Sequence, residues 1–130
     1  MMKSEIEKKK KSPFKPVSPD VVFLPQAQQS FQRGIDFIVE AICPTLGPFP
    51  HLVAISRAHS GESPELLDDG GLIARRIVAI QDRSADMGAM YIRHVLWRLR
   101  EDVGDGTATA AVILKSIYDE GIKCIAAGWN

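Results

Sequence analysis

Three short loops carry the residues whose type and spacing could do chemistry. The first, Gly104-Asp105-Gly106-Thr107-Ala108-Thr109, runs directly into a long helix-forming stretch. Its glycines allow close backbone approach, the helix start supplies unpaired N–H groups and a partial positive charge, and Thr107 and Thr109 add hydroxyls. That combination suits a phosphate. Asp105 would repel the phosphate unless a cation lay between them, so it argues for Mg²⁺ bridging carboxylate and phosphate oxygens. The alternative is that Asp105 and Thr107 only cap the helix. The second loop, Leu67-Asp68-Asp69-Gly70, puts a carboxylate at another helix start, suited to a metal shell, to orienting a water, or simply to capping. The third, Thr45-Leu46-Gly47-Pro48, has a glycine where backbone could approach a ligand and a proline that holds the shape. Nothing in the linear pattern brings the three loops together in space.

Other chemistries fit poorly. His51, His59 and His94 lack metal-pair spacing, and the sequence contains no His-Glu-x-x-His, Cys-x-x-Cys or Gly-x-Ser-x-Gly. His94, between Tyr91 and Trp97 on a long helix, reads as a partly buried structural histidine, and His59 as a loop residue. Met90 and Trp97 read as core or as a subunit contact. Cys43 and Cys124 form neither a disulfide framework nor a zinc spacing and read as reduced core or near-core thiols.

The elements that must position these loops are mainly helical. Phe31, Ile35, Ile38 and Ile42 recur at helical spacing and predict a helix over about 26–43 that Pro44 ends. His51 to Ser56 reads as a strand, with Glu65-Leu66-Leu67 pairing back as a hairpin. A two-turn helix is expected near Gly71, capped by the acidic turn before it. A longer one is expected from about Gln81 to Glu101, with Met87, Tyr91, Val95, Ile92, Leu96 and Leu99 as a wide, mostly buried surface. A last helix should run from about Gly106 to Ala127, with Ala111, Leu114, Ile117, Gly121 and Ile125 along one side. Four helices and one small hairpin result, with no internal repeat.

Composition bounds the rest. The 130 residues include 16 Lys+Arg and 16 Asp+Glu, and 45% are apolar, as expected for one ordinary soluble domain. A chain of this size buries on the order of 65–70% of its unfolded surface, enough for a core without metal or disulfide staples. No apolar run approaches the roughly 18 residues that cross a bilayer, and the start lacks a signal-peptide stretch, so a cytoplasmic protein without membrane contact is expected. Residues 1–16 hold six Lys and two Glu, whereas the remainder holds ten basic and fourteen acidic residues. Residues 1–25, with Lys8 to Lys11 and repeated prolines, read as a flexible arm. Nucleic-acid binding through that arm is not expected, because the run Lys8 to Lys11 has no aromatic residue within it and the arm has no arginine.

Taken together, several segments resemble one family in order and spacing over about residues 26–130. They are Thr45-Leu46-Gly47-Pro48, Asp69-Gly70 followed by Ile73-Ala74-Arg75-Arg76-Ile77, Asp86-Met87-Gly88-Ala89, Gly104-Asp105-Gly106-Thr107-Ala108-Thr109 with the helix after it, and Ala126-Ala127-Gly128-Trp129-Asn130. The set resembles the N-terminal equatorial segment of the group I chaperonins. The resemblance implies a mainly α fold, part of an equatorial ATP-binding domain over 26–130, in a ring of chaperonin subunits that folds other proteins. It implies ATP with Mg²⁺ and K⁺ as cofactors. Thr45, Leu46, Gly47 and Pro48 would line the nucleotide, and Asp105 would hold Mg²⁺. Gly106, Thr107 and Thr109 would grip phosphates, and Asp69 would stand near the attacking water as the catalytic carboxylate.

The chain departs from the family pattern in four places. Phe49-Pro50 replaces Lys-Gly, Asp68 replaces a Lys, Ala108 replaces a Thr, and the lysine- and proline-rich start replaces an opening strand. Two adjacent carboxylates at 68 and 69 should weaken anion binding by about 1 kcal/mol at a partly exposed site. The family also continues past the final Gly-Trp-Asn into segments that hold a second catalytic carboxylate and the client-binding surface. Clients would therefore be engaged only through those segments, hydrolysis by this chain alone is not expected, and helices that normally meet them should show an apolar patch. The competing expectation is a docking paralogue that has lost nucleotide binding.

Overall fold

The computed structural model describes residues 21–57 and 61–129; the lysine run and His59 lie outside them. Four helices and one hairpin follow in order: α1 (Gln26–Ile42), β1 (Val53–Ile55), β2 (Glu65–Leu67), α2 (Gly70–Arg76), α3 (Asp86–Val103) and α4 (Thr107–Ala126). A single 3₁₀ turn, Cys43–Thr45, follows α1 and contains Pro44. This is the mainly α architecture expected from the periodicities.

The core lies where α1 crosses α3. Ile35, Ile38, Val39 and Ile42 of α1 meet Ile92 and Leu96 of α3, with Ile73 and Ala74 of α2 and Ala111 of α4 closing the cluster. Two glycines let the backbones touch. A Cβ on Gly34 would stand 1.9 Å from the Ala85 carbonyl oxygen, and one on Gly88 would stand 2.0 Å from that of Phe31. Any side chain at either position would force α1 and α3 apart. Polar ties add α4 to this pair: Gln32 Nε2 donates to Asp119 Oδ1 at 2.9 Å, and Lys115 bridges Asp36 and Asp119. Burial opposes charge on Lys115, yet hydrogen bonds to the two carboxylates outweigh it and hold its pKa above the usual value.

The hairpin is antiparallel, with Val53 opposite Leu67, Ala54 opposite Leu66 and Ile55 opposite Glu65. Its first strand is shorter than the six residues expected, because only Val53 to Ile55 finds a partner in the three-residue β2. Arg76 at the end of α2 pairs with Glu65 at 2.7 Å and fixes the hairpin against that helix.

Several expectations fail on burial. Helix α3 starts at Asp86 instead of about Gln81, because Asp82 organises its own turn first. Asp82 Oδ1 accepts from the Ser84 hydroxyl at 2.7 Å and from the backbone N–H groups of Ser84 and Ala85. The Ser84 hydroxyl foremost, then the Ala85 N–H and Arg33, hold the Asp82 carboxyl down at about 2. The wide apolar surface of α3 is buried along one ridge only: Ile92 and Leu96 are enclosed, while Met87, Met90 and Tyr91 are more than half exposed. Met90 is thus no core residue, and His94 is exposed instead of partly buried. Along α4, for which only a shared side was expected, Ala111 is enclosed and Ile117 and Ile125 face solvent. Cys43 and Cys124 are free, as expected, yet exposed. Cys43 follows Ile42, the last core position of the α1 stripe, and Cys124 lies near the outer end of α4. No helix among the described residues is long and apolar enough to cross a membrane.

Candidate functional site

The tertiary fold does what the linear pattern could not: it gathers the three loops around one buried glycine. A Cβ on Gly70 would stand 2.8 Å from Ile42 Cγ2, 3.1 Å from Thr107 Oγ1 and 3.2 Å from the Ala108 backbone nitrogen. Gly70 therefore touches the end of α1, where the Thr45 loop begins, and the first turn of α4, where the Gly104–Thr109 loop ends. Only a residue without a side chain fits between them.

Each loop is held by its own bonds. Thr45 is buried, and its Oγ1 donates to the Ile42 carbonyl at 2.8 Å. Beyond it Leu46, Gly47 and Pro48 are exposed, Gly47 takes φ +116°, and the His51 N–H closes the loop on the Pro44 carbonyl at 2.9 Å. In the middle loop, Asp69 caps α2: Oδ1 accepts from the Leu72 N–H at 2.8 Å. Its other oxygen, Oδ2, accepts from Arg100 Nε at 3.0 Å, so both carboxylate oxygens are engaged. Asp68 beside it points to solvent.

In the third loop, Gly104 and Gly106 take φ +86° and +78°, the left-handed region that glycine enters without strain. Asp105 is exposed, and its Oδ1 accepts from the Gly106 N–H at 2.6 Å. Thr107, 5% exposed, turns inward: its Oγ1 accepts from the Gly71 N–H at 3.2 Å. Thr109 is exposed. No side chain caps the start of α4, whose first-turn N–H groups keep the partial positive charge of a 20-residue helix.

The geometry divides the sequence-predicted site residues into two sets. Thr45, Thr107 and Asp69 bind other parts of the protein, whereas Leu46, Gly47, Pro48, Asp105, Gly106 and Thr109 are exposed. A phosphate at the start of α4 would meet N–H donors and one carboxylate. Among the described residues no group of three or more His, Cys, Asp or Glu could hold a metal ion by itself. A cation at Asp105 would therefore have to draw its other ligands from phosphate oxygens and waters, as Mg²⁺ commonly does.

Comparison with known proteins finds similar sequence and fold among chaperonins. The chain is 35% identical over 111 residues, 85% of its length, to the mitochondrial chaperonin HSP60 of Trypanosoma cruzi. It also superposes on the chaperonin gp146 from the bacteriophage EL 2 (Pseudomonas aeruginosa), solved in the presence of ATP-BeFx, with a TM-score of 0.64. That match has 25% identity over 73% of this chain. The chain belongs to the group I chaperonin family. It spans 19% of the Trypanosoma cruzi chaperonin and 16% of the phage one. No family model matches the chain.

One residue of this chaperonin segment escaped the sequence reading. Arg100, on the last turns of α3, meets Asp69, and its aliphatic stem packs over Gly71, where a Cβ would lie 2.7 Å from Arg100 Cδ. Its spacing of four residues from the core residue Leu96 put it on the inward end of α3. Its carboxylate partner, 31 residues away, had no signal in the sequence.

Proposed function

We propose that this chaperonin segment binds the phosphates of ATP together with Mg²⁺ and contributes its site to ATP-dependent protein folding within a ring of subunits. The observation that carries the reading is the seating of Gly70 between the first turn of α4 and Ile42, to whose carbonyl the Thr45 hydroxyl is tied, which brings parts of the three loops close together. On this reading residues 26–130 form part of an equatorial nucleotide-binding domain. The α4 N–H groups and Thr109 take phosphate oxygens. Asp105 holds Mg²⁺, which supplies charge neutralisation between carboxylate and phosphate when bound. The backbone of Leu46, Gly47 and Pro48 lines the nucleotide, with K⁺ a second candidate cation there. Thr45 and Thr107 act from below by fixing the loops.

Asp69 is the candidate for orienting water. Arg100 neutralises it, which offsets the extra negative charge of Asp68 next to the phosphates. With both oxygens engaged, Asp69 would need to exchange a partner before it could hold a water. Turnover then requires more than this chain supplies.

The test is equilibrium binding of ATP to the purified chain with and without Mg²⁺, beside Asp105→Ala. Saturable binding that needs Mg²⁺ and is lost in the variant is the expected result. A folded chain that binds no ATP up to millimolar concentration would instead support a second reading, a docking paralogue without nucleotide. The engagement of Asp69 and the replacement of Lys-Gly by Phe49-Pro50, with Phe49 86% exposed, favour that alternative.

A further inference from the structure

Away from the three loops, a groove of about 430 Å³ runs between the end of α2 and the middle of α3, lined by Arg75, Val78, Met90, Arg93, His94 and Trp97. Its lining contains two arginines and no carboxylate. The Arg75 guanidinium lies over the Trp97 ring, 4.0 Å from its centroid, a cation–π contact that fixes the arginine without neutralising it. No carboxylate among the described residues pairs with Arg75 or Arg93. Arg93 Nη1 donates to the carbonyls of Ile77 and Val78, which anchors it at the end of α2. Val78 and Met90 are both more than half exposed and give the groove an apolar wall.

We propose that this groove binds a short acidic peptide segment of a partner protein, with a carboxylate on Arg75 and a neighbouring apolar side chain against Val78 and Met90. Charge complementarity selects a carboxylate, because the groove is locally cationic and an arginine fork suits a carboxylate's two oxygens. The apolar wall selects a peptide over a nucleic acid. Met90 adapts to apolar side chains of varied shape, and a phosphate strand has none to offer. Trp97 is no stacking platform for a base while Arg75 covers its face. A long polyanion would also be repelled by the body of the chain, since residues 17–130 hold fourteen acidic against ten basic residues.

The test uses the full chain carrying Trp129→Phe, which leaves Trp97 as its single tryptophan reporter. The probe is the blocked peptide Glu-Leu-Glu-Met-Glu, followed by Trp97 fluorescence and checked by calorimetry. Saturable binding with a dissociation constant below about 1 mM, weakened by salt, is expected. Arg75→Ala should weaken it about tenfold, whereas Arg98→Ala, outside the groove, should leave it unchanged. Circular dichroism of both variants establishes that they are folded. Equal binding of the glutamine counterpart, unchanged binding by folded Arg75→Ala, or no saturable signal up to about 10 mM peptide would each overturn the proposal. An oligonucleotide that displaces the peptide from the groove and binds more tightly would overturn the choice of a peptide.

Discussion

The two ends of α4 live in different surroundings. Its first turn is packed against backbone: Gly70 and Gly71 bring α2 to within contact of Thr107 and Ala108, and Ala111 one turn on is fully enclosed. Its outer half carries larger apolar residues, Ile117 and Ile125, with Trp129 just beyond, yet all three are more than half exposed. Small residues stand where the first turn meets other backbone, whereas Ile117, Ile125 and Trp129 lie on a side that little among the described residues covers. Tightness at the first turn fixes the candidate phosphate site. Exposure at the other end leaves Ile117, Ile125 and Trp129 largely uncovered.

Substitutions at four positions would break or sharpen this contrast. The largest effect is expected beneath both regions, at the α1–α3 crossing: Gly88→Ala should destabilise by about 3 kcal/mol or prevent folding, since its Cβ has only the Phe31 backbone to displace. Urea unfolding monitored by circular dichroism checks it. Next comes Gly70→Ala at the tight end. Its Cβ would press on Ile42 and Thr107, costing about 1–3 kcal/mol and lowering ATP affinity even if the chain still folds. Unchanged affinity in a folded Gly70→Ala would show that the convergence of the loops is not what positions the ligand.

Asp69→Ala should follow, because it removes the cap on Leu72 and leaves Arg100 without its partner. A loss of about 1–2 kcal/mol in thermal or urea unfolding is expected. Asp69→Asn should recover part of that loss by keeping an oxygen for the cap. The smallest effect on stability belongs to the exposed end. Ile117→Lys should change unfolding free energy by no more than about 0.5 kcal/mol while reducing self-association in sedimentation. A large loss of stability there would mean that Ile117 is buried in solution by another part of the molecule.

Much of the architecture was legible from local pattern. The period of Phe31, Ile35, Ile38 and Ile42 marked α1, the turn residues before Glu65 marked the hairpin, and Gly104 to Gly106 marked the break between α3 and α4. Burial was legible less often, because periodicity shows which residues share a face without showing whether anything covers that face. This is why Met87 and Tyr91, expected on a mostly buried surface, lie outside, and why Cys43 and Cys124, expected in or near the core, are exposed. The start of α3 was misplaced by the competing turn around Asp82, whose hydrogen bonds are local but invisible to a count of apolar residues.

The sequence by itself determined the helices, the hairpin and the ligand-type residues of the three loops, all of which depend on neighbours within a few positions along the chain. The ordered motifs also placed the chain among the chaperonins. The tertiary structure alone decided that the loops meet at Gly70, that Arg100 holds Asp69 and that Thr107 turns inward to Gly71. Those contacts join residues 28 to 38 positions apart, and such pairings are set by how α1, α2, α3 and α4 pack, which a local pattern does not encode.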